Sequence, residues 1–178
     1  MWVFLVSVKG WYDYAQKHQG VNHGNVTNGY QQGEPLSDAG FVKQAKFSNA
    51  IVNDAYVYGN FAIGERDLTI RLGNQAIPWV TPTTIAGGLQ KVNAFDYASI
   101  RRASSIAEAR TVAMPSLYAK LSLTDNLSVD AFTQFKFRPD VFAGCGTFLS
   151  TSDYAQPGCD KLTLNGSVLS ALSPAPIK

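Results

Sequence analysis

Asp54, Tyr56, Arg71, Gln75, Lys120, Asp130 and Lys136 are the side chains of this sequence best suited to meet a polar solute, and they sit in segments that alternate with apolar neighbours. A residue type recurring with a period of two shares one face of an extended strand. These seven therefore read as a wet wall that could sort solutes by charge; a plain solvated face with cross-strand ion pairs is the other reading. Arg101, Arg102 and Arg110 concentrate positive charge within a single connection. Folded inward they would make a basic constriction favouring anionic solutes, because charge in a narrow channel focuses the field. On an ordinary surface helix they would not. Cys145 and Cys159, the two cysteines, border a loop rich in Gly, Ser and Asp. They read as a disulfide formed in an oxidising compartment, against the alternative of two free thiols.

Catalytic and metal chemistry find little purchase. His18 and His23 share a polar loop with Asn22 and Asn25, too few ligands for a metal site. Asp13, Glu34, Asp38 and Asp125 make no carboxylate pair that can be placed, and no Gly-x-Ser-x-Gly turn frames a serine. The reading is a chain that is not an enzyme and needs no cofactor. A net charge of +2 without a basic run gives no reason to expect nucleic acid. Charged residues are 16% of the chain, against the ~25% usual in soluble domains. Aromatics reach 12%. That balance suits strands with one face to lipid and the other to water. No run approaches the ~18 apolar residues of a spanning helix, so any crossing would use strands. The apolar start has no basic stretch before it and no small-residue cleavage site after it. It reads as a strand entered part-way.

The elements that must position these side chains are strands at 3–14, 51–63, 67–76, 117–123 and 126–137, with a sixth at 161–168. Leu68, Ile70 and Leu72 oppose Thr69 and Arg71; Leu127, Val129, Ala131, Phe135 and Phe137 oppose Ser128, Asp130, Gln134 and Lys136. Short helices are expected near Ser37-Asp38 and, capped from Asn93 to Asp96, from Tyr97. Two turns are short, at 64–66 and 124–126, and the connections at 18–33 and 77–115 are long. Short turns at one end and long loops at the other characterise antiparallel up-and-down transmembrane β-barrels. Strands near the ~9–11 residues needed to cross fit the same picture; soluble sandwiches use strands of about five or six. Trp11, Tyr12, Tyr14, Trp79, Phe135 and Phe137 fall toward strand ends, as an interfacial girdle would. Single-chain barrels start at about eight strands. The expectation is therefore all-β: one partial barrel domain over 1–178, an incomplete curved sheet of five to six strands. Residues 77–115 would be a partly helical plug and 170–178 a tail.

Five segments carry a family resemblance: NDAYVYGNF (53–61), RLGNQAIPW (71–79), GGLQKVNAFDYASIRR (87–102), LSLTDNLSVDAF (121–132) and GTFLSTSDY (146–154). In this order and spacing the stretch 52–159 resembles the N-terminal half of the domain of unknown function 1302 family. Trp79 is kept, but Val80-Thr-Pro stands where that family usually has Gly-Glu-Ser, and Ala94 where it often has Pro. The resemblance implies a Gram-negative outer-membrane β-barrel whose members are much longer, so that this chain is a piece of one. It implies no catalytic residue and no established substrate.

The functional expectation is a passive, porin-like channel in the bacterial outer membrane for small organic solutes, hydrophobic or anionic. Its partners would be outer-membrane lipid and the solute. The competing expectation is a soluble, secreted all-β ligand-binding module of lectin-like kind. If it holds, Ile70 and Val129 should be sealed beneath a second sheet.

Overall fold

The computed structural model describes residues 1–20, 35–79, 92–100, 102, 111–147, 150 and 156–159, and the backbone of 161–164 and 167–170. In chain order the elements are β1 (Trp2–Tyr12), α1 (Tyr14–His18), a 3-10 turn (Lys43–Ala45), β2 (Ser48–Ile63) and β3 (Arg66–Gln75). Then follow β4 (Ala94–Phe95), α2 (Tyr97–Ile100), β5 (Thr111–Val112), β6 (Met114–Thr124), β7 (Leu127–Gln134), β8 (Lys161–Leu164) and β9 (Ser167–Ser170). The fold is all-β with a few short helices. One five-stranded sheet has the order β1-β2-β3-β6-β7, and two small sheets are β4-β5 and β8-β9. The large sheet runs from β1 at one edge to β7 at the other, and no pairing joins those two edges among the described residues. The chain forms two compact units: Met1–Lys9, Val52–Phe95 and Ala107–Asp140 make the first, and Gly10–Ile51, Asp96–Ile106 and Val141–Lys178 the second.

In the first unit, β2, β3, β6 and β7 form an antiparallel meander. Ile63 pairs Arg66 and Thr124 pairs Leu127, so two-residue turns join β2 to β3 and β6 to β7. Gly64 takes φ +63°, which a tight hairpin demands and glycine supplies without strain. The β3–β6 connection is long and leaves from the opposite end, as the turn chemistry implies. Arg66 and Asp125, one from each hairpin region, approach to 3.8 Å in full view of solvent, a pairing of little energetic weight.

The two faces of this sheet are opposite in character. Val57, Phe61 and Ile63 share a face with Leu68, Ile70 and Leu72, with Leu117 and Leu121, and with Leu127 and Val129. The Trp2 ring meets the Phe61 ring at 5.2 Å, which puts Phe4, Val6 and Val8 on that face too. None of these residues is buried: Val6 is 69% exposed, Val129 51% and Leu72 45%. Covering a large apolar side chain is worth ~1.5–3 kcal/mol. A face this size left in water forgoes on the order of 10 kcal/mol, as much as a whole domain's stability of ~5–15. The other face holds Tyr118, 2% exposed, with Gln75 and Ser116 wholly buried. The usual soluble arrangement is inverted.

Several boundaries differ from those the pattern suggests. β7 ends at Gln134, so Lys136 lies beyond the strand and belongs to neither face. The Phe135 N–H instead donates to the Pro115 carbonyl at 2.9 Å, closing the strand's last rung. β2 begins at Ser48, three residues early, and β6 at Met114. β1 stops at Tyr12, where Asp13 turns the chain: its carboxylate accepts the Gln16 N–H at 3.0 Å and caps α1, so Tyr14 is helical. A side chain that offers the backbone a capping bond competes with the strand ladder.

The second unit has its own small core, in which Phe41 and Phe47 pack edge to face at 6.1 Å. Asp38 starts no helix; its carboxylate accepts the Phe47 N–H at 3.0 Å. Asp96 does cap α2 as the pattern suggests, accepting the Ser99 N–H at 3.0 Å, and it is fully buried. The region expected to hold a sixth strand is an antiparallel hairpin of two, β8 and β9. Cys145 and Cys159 are joined, their Cα atoms 5.8 Å apart. The bridge closes a loop of sequence separation 14, for which chain entropy gives about 3 kcal/mol. Reduction, or the pair Cys145→Ser and Cys159→Ser, should therefore destabilise the second unit by about that amount. Hydrogen exchange at Ala143–Thr147 before and after reduction checks this.

Candidate functional site

The polar face of the large sheet carries six of the seven expected wall residues. Asp54 and Tyr56 lie on β2, Arg71 and Gln75 on β3, Lys120 on β6 and Asp130 on β7. The pairs Tyr58↔Arg71, Arg71↔Tyr118 and Lys120↔Asp130 put them on the same side. Arg71 occupies the centre. Its guanidinium lies 5.8 Å from the centroid of Tyr56 and 5.6 Å from that of Tyr118, so two phenol rings flank one cation. Its Nε is buried and has no hydrogen-bond partner.

The acids on this face are satisfied by neutral donors. The Tyr118 hydroxyl donates to the Asp130 carboxylate at 2.7 Å. Lys120 faces Asp130 directly across the ladder, yet the carboxylate takes the diagonal tyrosine, within reach of a long side chain. Asp54 accepts from the Ser7 hydroxyl at 3.3 Å and from the Asn53 amide at 2.8 Å. Neither Tyr118 nor Ser7 is marked as a site residue by the sequence; the alternation places Tyr118 on this face, but nothing in a sequence shows which acid a phenol will reach.

Gln75 differs from the expectation of a water-lining residue. It is wholly buried, its Nε2 donating to the carbonyls of Arg71 and Ser116 at 3.3 and 3.2 Å, with Oε1 left without a partner. The cover at this end of the face comes from the long connection. Ile77 and Asn93 exchange two bonds of 2.8 Å, main-chain N–H to amide oxygen and amide N–H to main-chain carbonyl. The Trp79 ring stands edge-on against Phe132 at 4.9 Å, and Gln134 donates to the Val92 carbonyl at 3.2 Å. Trp79 and Val92, from the stretch expected to be a plug, thus reach the polar face. A cavity of about 510 Å³ remains beside them, lined by Asn93, Met114, Phe132, Gln134 and Arg138 among others.

Of the three arginines of the expected constriction, the structure describes Arg102. Arg101 and Arg110 lie outside the described residues, as does His23. Arg102 is in the second unit, where it donates to the Gln44 carbonyl and stacks over the Trp11 ring at 4.1 Å. Burial lowers its pKa, while the carboxylates of Asp96 and Asp13 pull the other way. A cavity of about 640 Å³ adjoins it, lined by Trp11, Tyr12, Tyr14, Phe47 and Thr147 among others. Trp11 also donates through Nε1 to the Lys46 carbonyl at 2.7 Å. Trp11 and Trp79 are thus held by internal partners, whereas Tyr12, Tyr14, Phe135 and Phe137 are exposed. His18 Nε2 meets the Tyr12 hydroxyl at 2.7 Å.

Among the described residues there is no group of three or more His, Cys, Asp or Glu that could hold a metal ion. No described helix is long and apolar enough to cross a membrane, which leaves strands untouched by that criterion. No curated protein and no solved structure matches the chain. A family model does match, over residues 1–175, wider than the 52–159 stretch on which the resemblance was drawn. With that match over nearly its whole length, the chain belongs to the family described as protein of unknown function (DUF1302).

Proposed function

We propose that this chain contributes to an outer-membrane β-barrel through which small organic solutes diffuse passively. The apolar strand face would meet hydrocarbon and the polar face an aqueous bore. The observation that carries the reading is the inverted burial of the large sheet: large apolar side chains bare, Tyr118, Ser116 and Gln75 covered. Lipid removes the energetic objection to such a face, because hydrocarbon is a good solvent for it. Strands of 11, 10 and 11 residues in β1, β3 and β6 match the ~9–11 needed to cross at a tilt. A sheet in lipid cannot leave edge N–H and C=O groups unpaired, so further strands must pair β1 and β7 and close the cylinder.

The test uses the longest native open reading frame. The protein should partition into detergent, migrate differently on gels when unheated, and give discrete conductance steps in planar bilayers. A protein that stays monomeric without detergent and gives no conductance would return the chain to the secreted ligand-binding module.

A further inference from the structure

We infer that Arg71 is an anion subsite on the polar face, receiving the carboxylate of a small organic acid between Tyr56 and Tyr118. This rests on the aqueous-bore reading and names its solute class.

Arg71 is half-buried, and its guanidinium is held by two ring faces. Rings stabilise a cation through their quadrupole but supply no acceptor for its N–H groups. The acids that could neutralise it are engaged elsewhere, Asp130 by the Tyr118 hydroxyl and Asp54 by Ser7 and Asn53. Among the described residues Arg71 therefore has no carboxylate partner, and Nε is shut from solvent with nothing to donate to. A charged donor in that state is costly. The edge formed by Nε and one Nη is also the one whose spacing fits both oxygens of a carboxylate. A solute that nudges Tyr56 aside would reach it.

Gln75 adds a second orphan on the same strand face. Because its Nε2 is fixed by two carbonyls, the amide cannot turn over, and Oε1 stays a buried acceptor in want of a donor. A hydroxyl or a water carried with the acid would serve it. Two other cations do not compete: among the described residues Lys120 is exposed and flanked by no such ring pair, and Arg102 is spent on Gln44 and Trp11.

The probe is benzoate, with benzyl alcohol as its uncharged counterpart, titrated against the full-length protein in detergent by saturation-transfer NMR. Conductance and reversal potential under a benzoate gradient are recorded separately. Benzoate should bind at least tenfold better than benzyl alcohol, and Arg71→Gln should remove about tenfold or more of the benzoate affinity. Arg71→Lys, which keeps the charge but not the fork, should fall between, and Arg66→Gln at the exposed turn should change nothing. Unheated gel migration confirms that each variant is folded; if Arg71→Gln is not, Arg71→Lys against wild type decides. Equal benzoate affinity in wild type and the Arg71 variants, or no preference over benzyl alcohol, overturns the subsite. A protein that conducts but does not bind benzoate loses only the subsite. One that binds benzoate through Arg71 but never conducts loses only the bore.

Discussion

Replacing Ile70 by arginine should, on the proposed barrel reading, cost about 2–4 kcal/mol of folding free energy in a bilayer, the price of a cation on a lipid face near the midplane. Ile70 is central in β3, pairing Gly59 and Ala119, and shares its face with the bare Leu72. Asn60→Arg is the matched control, since Asn60 lies one residue from the same level on the opposite face. It should be tolerated, with a loss confined to its exposed hydrogen bond to Thr69. Urea titration of the full-length protein in lipid vesicles measures both. The sign separates the competing readings: in a soluble module an arginine on an already exposed face changes stability by no more than about 0.5 kcal/mol, and improves solubility. Equal effects at Ile70 and Asn60 would remove the membrane reading.

Gly73→Ala should be the most damaging small substitution in the sheet. Gly73 takes φ +138°, and a Cβ there would sit 2.5 Å from the Ala55 carbonyl oxygen and 2.7 Å from the Tyr56 Cα. Both obstacles are backbone of the neighbouring strand and cannot swing away. Strain of ~1–3 kcal/mol adds to the cost of forcing β2 and β3 apart, for a total of about 3 kcal/mol or more. Because Tyr56 pairs Gly73, the same displacement should pull a ring from Arg71 and weaken benzoate binding. Gly64→Ala provides the scale. Gly64 also has positive φ but meets nothing within 4 Å, so its loss should stay near 1 kcal/mol. Midpoints of heat-induced gel conversion rank the two; a Gly64 effect equal to that of Gly73 would refute the close-approach argument.

The strand pattern was legible because period two is a local property. Leu68, Ile70 and Leu72 needed no partner to reveal their face, and the register between β2, β3, β6 and β7 keeps every such set together. Asp96 was legible for the same reason, since a cap reaches only three residues along. What failed was competition at strand ends. Tyr12 and Tyr14 continued the alternation of β1, but the Asp13 carboxylate offered the backbone a better bond and a helix began. Phe135 and Phe137 likewise drew Lys136 into a strand that stops at Gln134. The site was half readable. Alternation put Arg71, Asp130 and Tyr56 on one wall, while the burial of Gln75 depends on carbonyls from Arg71 and, on another strand, Ser116, and the covering of that wall depends on Asn93, distant in sequence. Such long-range choices leave no local mark.

The reciprocal bonds between Ile77 and Asn93 imitate a rung of β-ladder with one side chain standing in for a strand. They fasten both feet of an excursion, whatever its middle contains. Evolution is then free to exchange the sequence between those feet, in length and in chemistry, without unseating the scaffold. On the proposed reading, the chemistry presented to a solute could change there by cassette replacement, while the β2-β3-β6-β7 meander stays unaltered.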